Sequence, residues 1–167
     1  DLEKDSLRKY GSLGLTVTKF FYKIRIESSI KLEIDCKNKL TNSKILKIID
    51  ILKKENDLSN FKISVCDEIP AHNGLGSGTQ LALSVGYLIA EFNKLKLDIN
   101  QLAFLFRRGR RSGIGIECFK KGGFNIDAGK LKGSIKPPLS IFNMKWPKDW
   151  KILLILDKNL EGLHGKK

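Results

Sequence analysis

A glycine-rich loop that runs directly into a helical pattern is the feature that most constrains this chain. Residues 70–80 read Pro-Ala-His-Asn-Gly-Leu-Gly-Ser-Gly-Thr-Gln, and an apolar run with helical spacing follows at 81–92. Such a loop brings backbone N–H groups, two hydroxyls and a helix N-terminus to one small volume. The sequence therefore predicts a binding site for a phosphate or a diphosphate.

The residue types within the loop suit this role. Gly74, Gly76 and Gly78 let the backbone approach a ligand closely or adopt positive φ angles. Ser77 and Thr79 can donate to phosphate oxygens or ligate a hard cation such as Mg²⁺. The spacing matches neither a Walker loop, since no Gly-Lys-Ser/Thr follows, nor the usual Rossmann fingerprint. A turn that only caps the helix is the alternative, and the density of glycines favours ligand binding.

Periodicity along the rest of the chain predicts a mixed α+β domain, with helices packed on a mixed sheet. Helices are predicted from caps at 41–43 to about residue 55, over 79–95, over 99–108 behind an Asp98 cap, and over 116–121. Strands are predicted as two runs within 13–36 that turn near 28–29, and at 61–66, 124–127, 133–142 and 150–157, the last of them buried. Residues 1–11 are predicted to form a loop.

Charge and cysteine content narrow the class of protein. The net charge of +13 admits nucleic acid or a polyanionic substrate as partner, but many of the 31 basic residues are single lysines spread along the chain, which favours a solvated surface. Three well-separated cysteines and two histidines argue against a zinc site or a disulfide scaffold, and a reducing cytoplasm fits best. The longest apolar stretches fall short of a membrane span.

The densest charge cluster lies at 107–111, where four arginines surround Gly109. Guanidinium groups match the geometry of phosphate and carboxylate groups, although a solvated helix end would explain the same cluster. Arg110 and Arg111 adjoin Ser112 and are the predicted site residues, whereas Arg107 and Arg108 are left open between site and surface. Nucleic-acid binding is the weaker interpretation, because no aromatic residues interleave with the cluster.

Two segments resemble motifs of the GHMP kinase superfamily. Pro70-Ala-His-Asn-Gly-Leu-Gly-Ser-Gly-Thr is similar to its Pro-x-x-x-Gly-Leu-Gly-Ser-Ser motif, and Ser112-Gly-Ile-Gly-Ile-Glu-Cys-Phe-Lys-Lys-Gly-Gly to its Ser-Gly-x-Asp-(x)-Gly-Gly segment. The resemblance implies a GHMP-kinase-like N-terminal domain with the ribosomal protein S5 domain 2-like fold. Gly78 stands where the kinases place a serine that helps to hold Mg²⁺, and Gly115 where they place the catalytic aspartate. Without that carboxylate no base is evident to activate an alcohol.

One branch of the superfamily, the β-ribofuranosylaminobenzene 5′-phosphate synthase family, is similar over nearly the whole chain. The shared motifs lie at 74–86, 109–115, 122–129 and 161–165. The resemblance implies a transferase of archaeal methanopterin biosynthesis that joins 5-phosphoribosyl 1-diphosphate to 4-hydroxybenzoate or 4-aminobenzoate and releases CO₂ and diphosphate. Members of that family are longer at both ends. Residues 1–167 are therefore expected to be a fragment of the GHMP-type N-terminal domain, without its first strand and the C-terminal domain, and inactive alone.

These considerations give a set of candidate site residues. Those expected to hold the diphosphate are Gly74, Gly76, Ser77, Gly78, Thr79, Ser112 and Gly113, with Ser77 and Thr79 as ligands of the cofactor Mg²⁺. Asp127 would ligate Mg²⁺ through water or orient an arginine, or would simply end a strand. Roles for His72, Glu117 and His164 are undecided. A GHMP small-molecule kinase and a basic nucleic-acid-binding module remain the alternatives, and a homodimer is one option for the assembly.

Overall fold

The fold is taken from a computed structural model that describes residues 6–71 and 73–156. In these ranges four helices pack beside three small sheets, so the predicted α+β class is confirmed. The helices are α1 (Lys39–Lys53), α2 (Ser77–Phe92), α3 (Ile99–Leu105) and α4 (Ile114–Lys121). The strands are β1 (Arg8–Lys9), β2 (Ser12–Leu15), β3 (Lys23–Ser28), β4 (Glu33–Asp35), β5 (Phe61–Asp67), β6 (Phe124–Asp127), β7 (Lys130–Leu131) and β8 (Ser140–Met144).

The two three-stranded sheets determine where the glycine loop and its neighbours lie. One sheet has the order β3-β5-β4, with β5 antiparallel to β3 and parallel to β4, and α1 connects β4 to β5. The other is antiparallel with the order β2-β6-β8, and its register pairs Ser12 with Asp127. The short strands β1 and β7 pair with each other. Because β5 ends at Asp67 and α2 begins at Ser77, the glycine loop lies between the first sheet and α2.

The core lies between α1, α2 and the first sheet. Ile45, Ile48, Ile49 and Leu52 recur at helical spacing on α1, and each is at most 5% exposed. The other fully buried large apolar side chains of the core are Phe61, Ile63, Leu81, Leu83, Val85, Ile89 and Leu102. Since α2 packs against α1, α3 and α4, this core fixes the start of α2 relative to its neighbours.

Capping side chains explain where two helices begin. The Asn38 Oδ1 accepts hydrogen bonds from N–H groups of the first turn of α1, so this helix begins ahead of the caps predicted at 41–43. Asp98 and Gln101 form a capping box at α3, which confirms the predicted cap. The α3 helix ends at Leu105 and is shorter than predicted.

The N-terminal strands differ from the prediction. Residues 13–36 contribute three strands instead of two, and residues 16–22 belong to none of them. Residues 8–9, predicted as loop, pair with β7. The alternation of apolar residues around 17–21 therefore arises from side chains that line a cavity and not from a sheet.

Two strand predictions in the C-terminal part are also wrong. The strand predicted over 133–142 begins only at Ser140, after two prolines that cannot donate to a ladder. Residues 151–156 were expected in a buried strand, but they have no regular structure and most are exposed. Their composition is apolar, but no described strand pairs with them, and Ile152, Leu154, Ile155 and Leu156 line a cavity instead. Residue 157 lies outside the described residues. In the described ranges no helix combines the length and apolar character that crossing a membrane requires.

Gly86, in the middle of α2, allows Phe106 to pack closely against this helix. A Cβ at Gly86 would lie 2.7 Å from the Phe106 Cζ. We expect Gly86→Ala to lower the free energy of unfolding by up to about 2 kcal/mol, because overpacking costs ~1–3 kcal/mol and alanine regains only ~1 kcal/mol in helix propensity. Urea unfolding measures the change. The double variant Gly86→Ala/Phe106→Leu should recover part of the loss, and a Gly86→Ala variant more stable than the natural chain would contradict the close approach.

Candidate functional site

A cavity of about 850 Å³ opens where the glycine loop, β2 and α4 meet. Its polar lining residues are Ser12, Thr16, Asn73, Thr79, Gln80, Ser84 and Ser112. Its apolar lining comes mainly from β2, from residues between 17 and 22 and from residues 152–156. Among the described residues that line it, none is an Asp, Glu, Lys, Arg or His. These walls therefore offer hydroxyl, amide and backbone groups to a ligand, without a formally charged side chain.

Two glycines in left-handed conformations shape the loop at this cavity. Gly74 and Gly76 have φ angles of 71° and 67°, and both line the cavity. A Cβ built on either would meet no atom within 4 Å, so open space lies beside both residues. Gly76 is the N-cap of α2, and its carbonyl accepts hydrogen bonds from the N–H groups of Thr79 and Gln80. The N–H groups of Ser77 and Gly78, which come just before Thr79 in the chain, lie at the positive end of the helix dipole.

The N-terminus of α4 is held against that of α2. The Gln80 side-chain amide donates a 2.8 Å hydrogen bond to the carbonyl of Gly115. A Cβ at Gly115 would lie 3.0 Å from Thr79 Cγ2 and 3.1 Å from Thr79 Cβ. The two helix ends therefore meet so closely that a side chain at position 115, where the sequence resemblance places the kinases' aspartate, would press on Thr79.

Asp127 ties three segments together behind the cavity. Asp127 is buried, with only 3% of its surface exposed. Its Oδ2 accepts hydrogen bonds from the hydroxyls of Ser12 (2.7 Å) and Ser112 (3.0 Å) and from the Gly113 N–H (2.9 Å), while its Oδ1 accepts from the Gly129 N–H (2.9 Å). The carboxylate thus fixes β2 and the residues before α4, and both serines that it holds line the cavity.

Aromatic residues form part of the cavity's apolar lining. Phe20, Phe21 and Tyr22 follow one another just before β3. Burial, and then the negative charges of Glu68 and Cys36, raise the pKa of Tyr22 to about 12. At neutral pH the Tyr22 phenol is therefore protonated, so it can donate a hydrogen bond but cannot act as a base. The cavity combines this aromatic lining with the N–H groups and hydroxyls of the glycine loop.

A family comparison decides what kind of domain carries this arrangement. Residues 43–126 match the model of the GHMP kinases N terminal domain. The chain belongs to the GHMP kinase family. The matched range includes most of α1, all of β5 and α2 to α4, and hence both helix N-termini at the cavity. The superfamily that the glycine loop predicted is confirmed.

Three curated relatives of this GHMP chain are named β-ribofuranosylphenol 5′-phosphate synthase. The protein from Methanothermobacter thermautotrophicus is 30% identical over 186 residues, which cover 100% of this chain and 56% of the relative. Those from Methanocaldococcus jannaschii and Archaeoglobus fulgidus are 35% and 37% identical, over 73% and 64% of this chain and 40% and 37% of their own lengths. The similarity to this branch is therefore confirmed. The chain spans about half the length of the curated relatives it matches, or less.

Solved structures of GHMP kinases share the fold. A candidate homoserine kinase from Listeria monocytogenes matches with a TM-score of 0.60 at 17% identity, over 84% of this chain and 52% of that one. The phosphomevalonate kinase of Streptococcus pneumoniae matches with a TM-score of 0.53 at 17% identity, over 74% and 43%. At such low identity the likeness establishes the fold alone.

The predicted site residues of this GHMP domain lie in three places. Those that line the cavity are Gly74, Gly76, Thr79 and Ser112. Those beside it, at the starts of α2 and α4, are Ser77, Gly78 and Gly113. Arg110 and Arg111 are exposed and are not among the described lining residues, and Asp127 lies behind the cavity. His72, His164 and the motif at 161–165 lie outside the described residues.

The structure also brings in residues that the sequence did not single out. Gln80 fixes α4, Ser12 joins the Asp127 network, and Phe20 lines the cavity. The sequence places Gln80 in the first turn after the glycine loop. Its partner Gly115 lies 35 residues further along the chain, so no local pattern points to it. Residues 6–71 and 73–156 contain no group of three His, Cys, Asp or Glu side chains placed to hold a metal.

Proposed function

We propose that this chain supplies the substrate cavity of a transferase that condenses 5-phosphoribosyl 1-diphosphate with 4-hydroxybenzoate. The products would be CO₂, diphosphate and a β-ribofuranosylphenol 5′-phosphate. The relatives' name supports the hydroxybenzoate over the aminobenzoate, because that name describes a phenol product. Since the chain spans about half of those relatives, the proposal concerns the whole enzyme to which this domain contributes.

The observation that carries the proposal is the lining of the cavity. Gly74, Gly76 and Thr79 provide a polar cradle for phosphate oxygens, and Phe20 and Phe21 provide apolar surface for a benzoate ring. A kinase would need a carboxylate to take the proton of an alcohol, and the described lining has no Asp or Glu. The packing of Gly115 on Thr79 supports the same choice, because a side chain at position 115 would press on Thr79.

The proposed reaction needs no strong base on the protein. The bond between the anomeric carbon and the diphosphate oxygen breaks, and its electron pair leaves with the diphosphate. The ring carbon that bears the carboxylate then attacks the oxocarbenium-like centre. Cleavage of the bond to the carboxyl carbon returns its electron pair to the ring and releases CO₂. The main demand on the protein is therefore to stabilise negative charge on the departing diphosphate.

Several residues of this chain would bind the diphosphate and position the acceptor ring. N–H groups at the start of α2 and the Thr79 hydroxyl would bind oxygens of the diphosphate. Phe20 and Phe21 would position the acceptor ring, and the Asp127 network would keep Ser112 in place. The hydroxyls of Thr79 and of Ser77 beside it would hold Mg²⁺ that enters with the diphosphate. Bound in that way, Mg²⁺ supplies charge neutralisation on the leaving group.

The test gives the whole enzyme that contains this domain 5-phosphoribosyl 1-diphosphate, Mg²⁺ and 4-hydroxybenzoate labelled at its carboxyl carbon. We expect release of labelled CO₂ and diphosphate in equal amounts, with slower release from labelled 4-aminobenzoate. Phe21→Leu tests the role of the aromatic lining. We expect it to raise KM for the benzoate more than KM for the phosphoribosyl substrate. The proposal is rejected if neither labelled acid releases labelled CO₂. Alcohol-dependent release of ADP from ATP would favour the kinase alternative.

A further inference from the structure

A second, smaller cavity lies between α1 and the start of α2, separate in its lining from the one described above. It has a volume of about 160 Å³, several times the ~30 Å³ that one water occupies in the liquid. Three basic residues line it, Lys44 and Lys47 from α1 and Arg108 from the segment after α3. The remaining lining consists of Gly78 and apolar side chains.

Arg108 is the residue that makes this cavity unusual. Its Nε is buried and has no hydrogen-bond partner, and burial lowers the pKa of its guanidinium. The ion pairs among the described residues involve Glu33 and Glu117 and none of the three basic residues of this cavity. A guanidinium whose Nε is desolvated and unpaired is unfavourable, since the buried donor loses its bond to water without a replacement.

The arrangement around Arg108 is complementary to an anion. Its Nη1 lies 3.7 Å from the position that a Cβ on Gly78 would occupy, at the first turn of α2. Lys44 and Lys47 are three residues apart on α1 and therefore share one face of that helix. An arginine fork binds a phosphate group in a bidentate way, and two ammonium groups and a helix N-terminus add attraction for the same charge.

We propose that this cavity is a phosphate-group site formed by Arg108, Lys44, Lys47 and the first turn of α2. The ligand is free phosphate or the phosphate of a phosphomonoester. The lining residues of this cavity are not those of the larger one, but both sites use the start of α2, so an anion here would lie beside the diphosphate of the proposed transferase. It assigns a role to Arg108, which the sequence left undecided, and it places an anion on the α1 side of the glycine loop.

The test measures binding of inorganic phosphate and of ribose 5-phosphate to the full chain by calorimetry. We expect Arg108→Met to weaken binding by about 10- to 100-fold, and Arg108→Lys to weaken it less, because lysine keeps the charge but not the fork. Arg25→Met is the control, because it removes one positive charge at an exposed position of β3, outside this cavity. It should leave the affinity for phosphate unchanged. Tighter binding of ribose 5-phosphate than of phosphate identifies a phosphomonoester as the ligand, and equal binding identifies free phosphate.

A second measurement guards against an effect of folding. Without phosphate, Arg108→Met should melt at or above the temperature of the natural chain, because it removes an unpaired buried donor. Saturating phosphate should raise the melting temperature of the natural chain and not that of the variant. Lys47→Met, an exposed position on α1, should also weaken phosphate binding without a change in folding. The proposal is overturned if neither ligand binds, or if Arg25→Met and Arg108→Met weaken binding equally.

Discussion

Asp127→Ala is expected to lower the free energy of unfolding by about 3–5 kcal/mol, because it leaves two buried N–H groups unpaired at ~1–3 kcal/mol each and removes the acceptor of two part-buried hydroxyls. Those donors are two hydroxyls and two backbone N–H groups, and they come from β2, from the residues before α4 and from the turn after β6. The melting temperature should fall by about 10 °C or more for a chain of this size. Thermal and urea unfolding of the full chain measure both quantities.

Two further variants separate the network from the charge. Asp127→Asn keeps the shape but turns an N–H₂ group toward N–H and O–H donors, so we expect it to lose more than half of what alanine loses. Asp50→Asn makes the same chemical change on the exposed side of α1 and should stay within ~0.5 kcal/mol of the natural chain. If Asp127→Asn proved as stable as Asp50→Asn, the carboxylate would not hold these segments together.

Local signals in the sequence were sufficient for the helices at the site. The glycine loop and the apolar run after it predicted α2, and the Asp98 cap predicted where α3 begins. These features succeed because each rests on residues close together in the chain, where helix periodicity and capping operate. The likeness to the GHMP kinase family rests on similarly local motifs, and it is confirmed.

Strands and side-chain partners were harder to predict, since they depend on contacts distant in sequence. Residues 151–156 have the composition of a buried strand but no strand beside them. Asp127 sits at a strand end, and only the fold brings Ser12, 115 residues away, to its carboxylate. The arginine cluster illustrates the same limit, because burial distinguishes Arg108 from the exposed Arg110 and Arg111, and no local pattern encodes that difference.

Gly115→Asp would place an aspartate where the sequence resemblance puts the kinases' catalytic carboxylate. Helix propensity and the dipole at the start of α4 favour aspartate there by up to ~1 kcal/mol. The contact with Thr79, at 3.0 Å for a bare Cβ, opposes it by about 1–3 kcal/mol of overpacking. We therefore expect a net loss of stability. We also expect a transferase rate reduced by about a hundredfold, because a displaced α4 and a negative charge both disturb the diphosphate cradle.

The size of the Thr79 side chain provides the control for this variant. Thr79→Ser removes the methyl group nearest to position 115 and keeps the hydroxyl that lines the cavity. In a double-mutant cycle, Thr79→Ser should therefore restore part of the stability that Gly115→Asp loses, with a coupling free energy of at least ~0.5 kcal/mol. Additive effects would show that the two helix ends do not meet as described. Alcohol-dependent ADP release by Gly115→Asp would show that a single carboxylate separates this cavity from a kinase site, whereas the packing of α4 on Thr79 leads us to expect none.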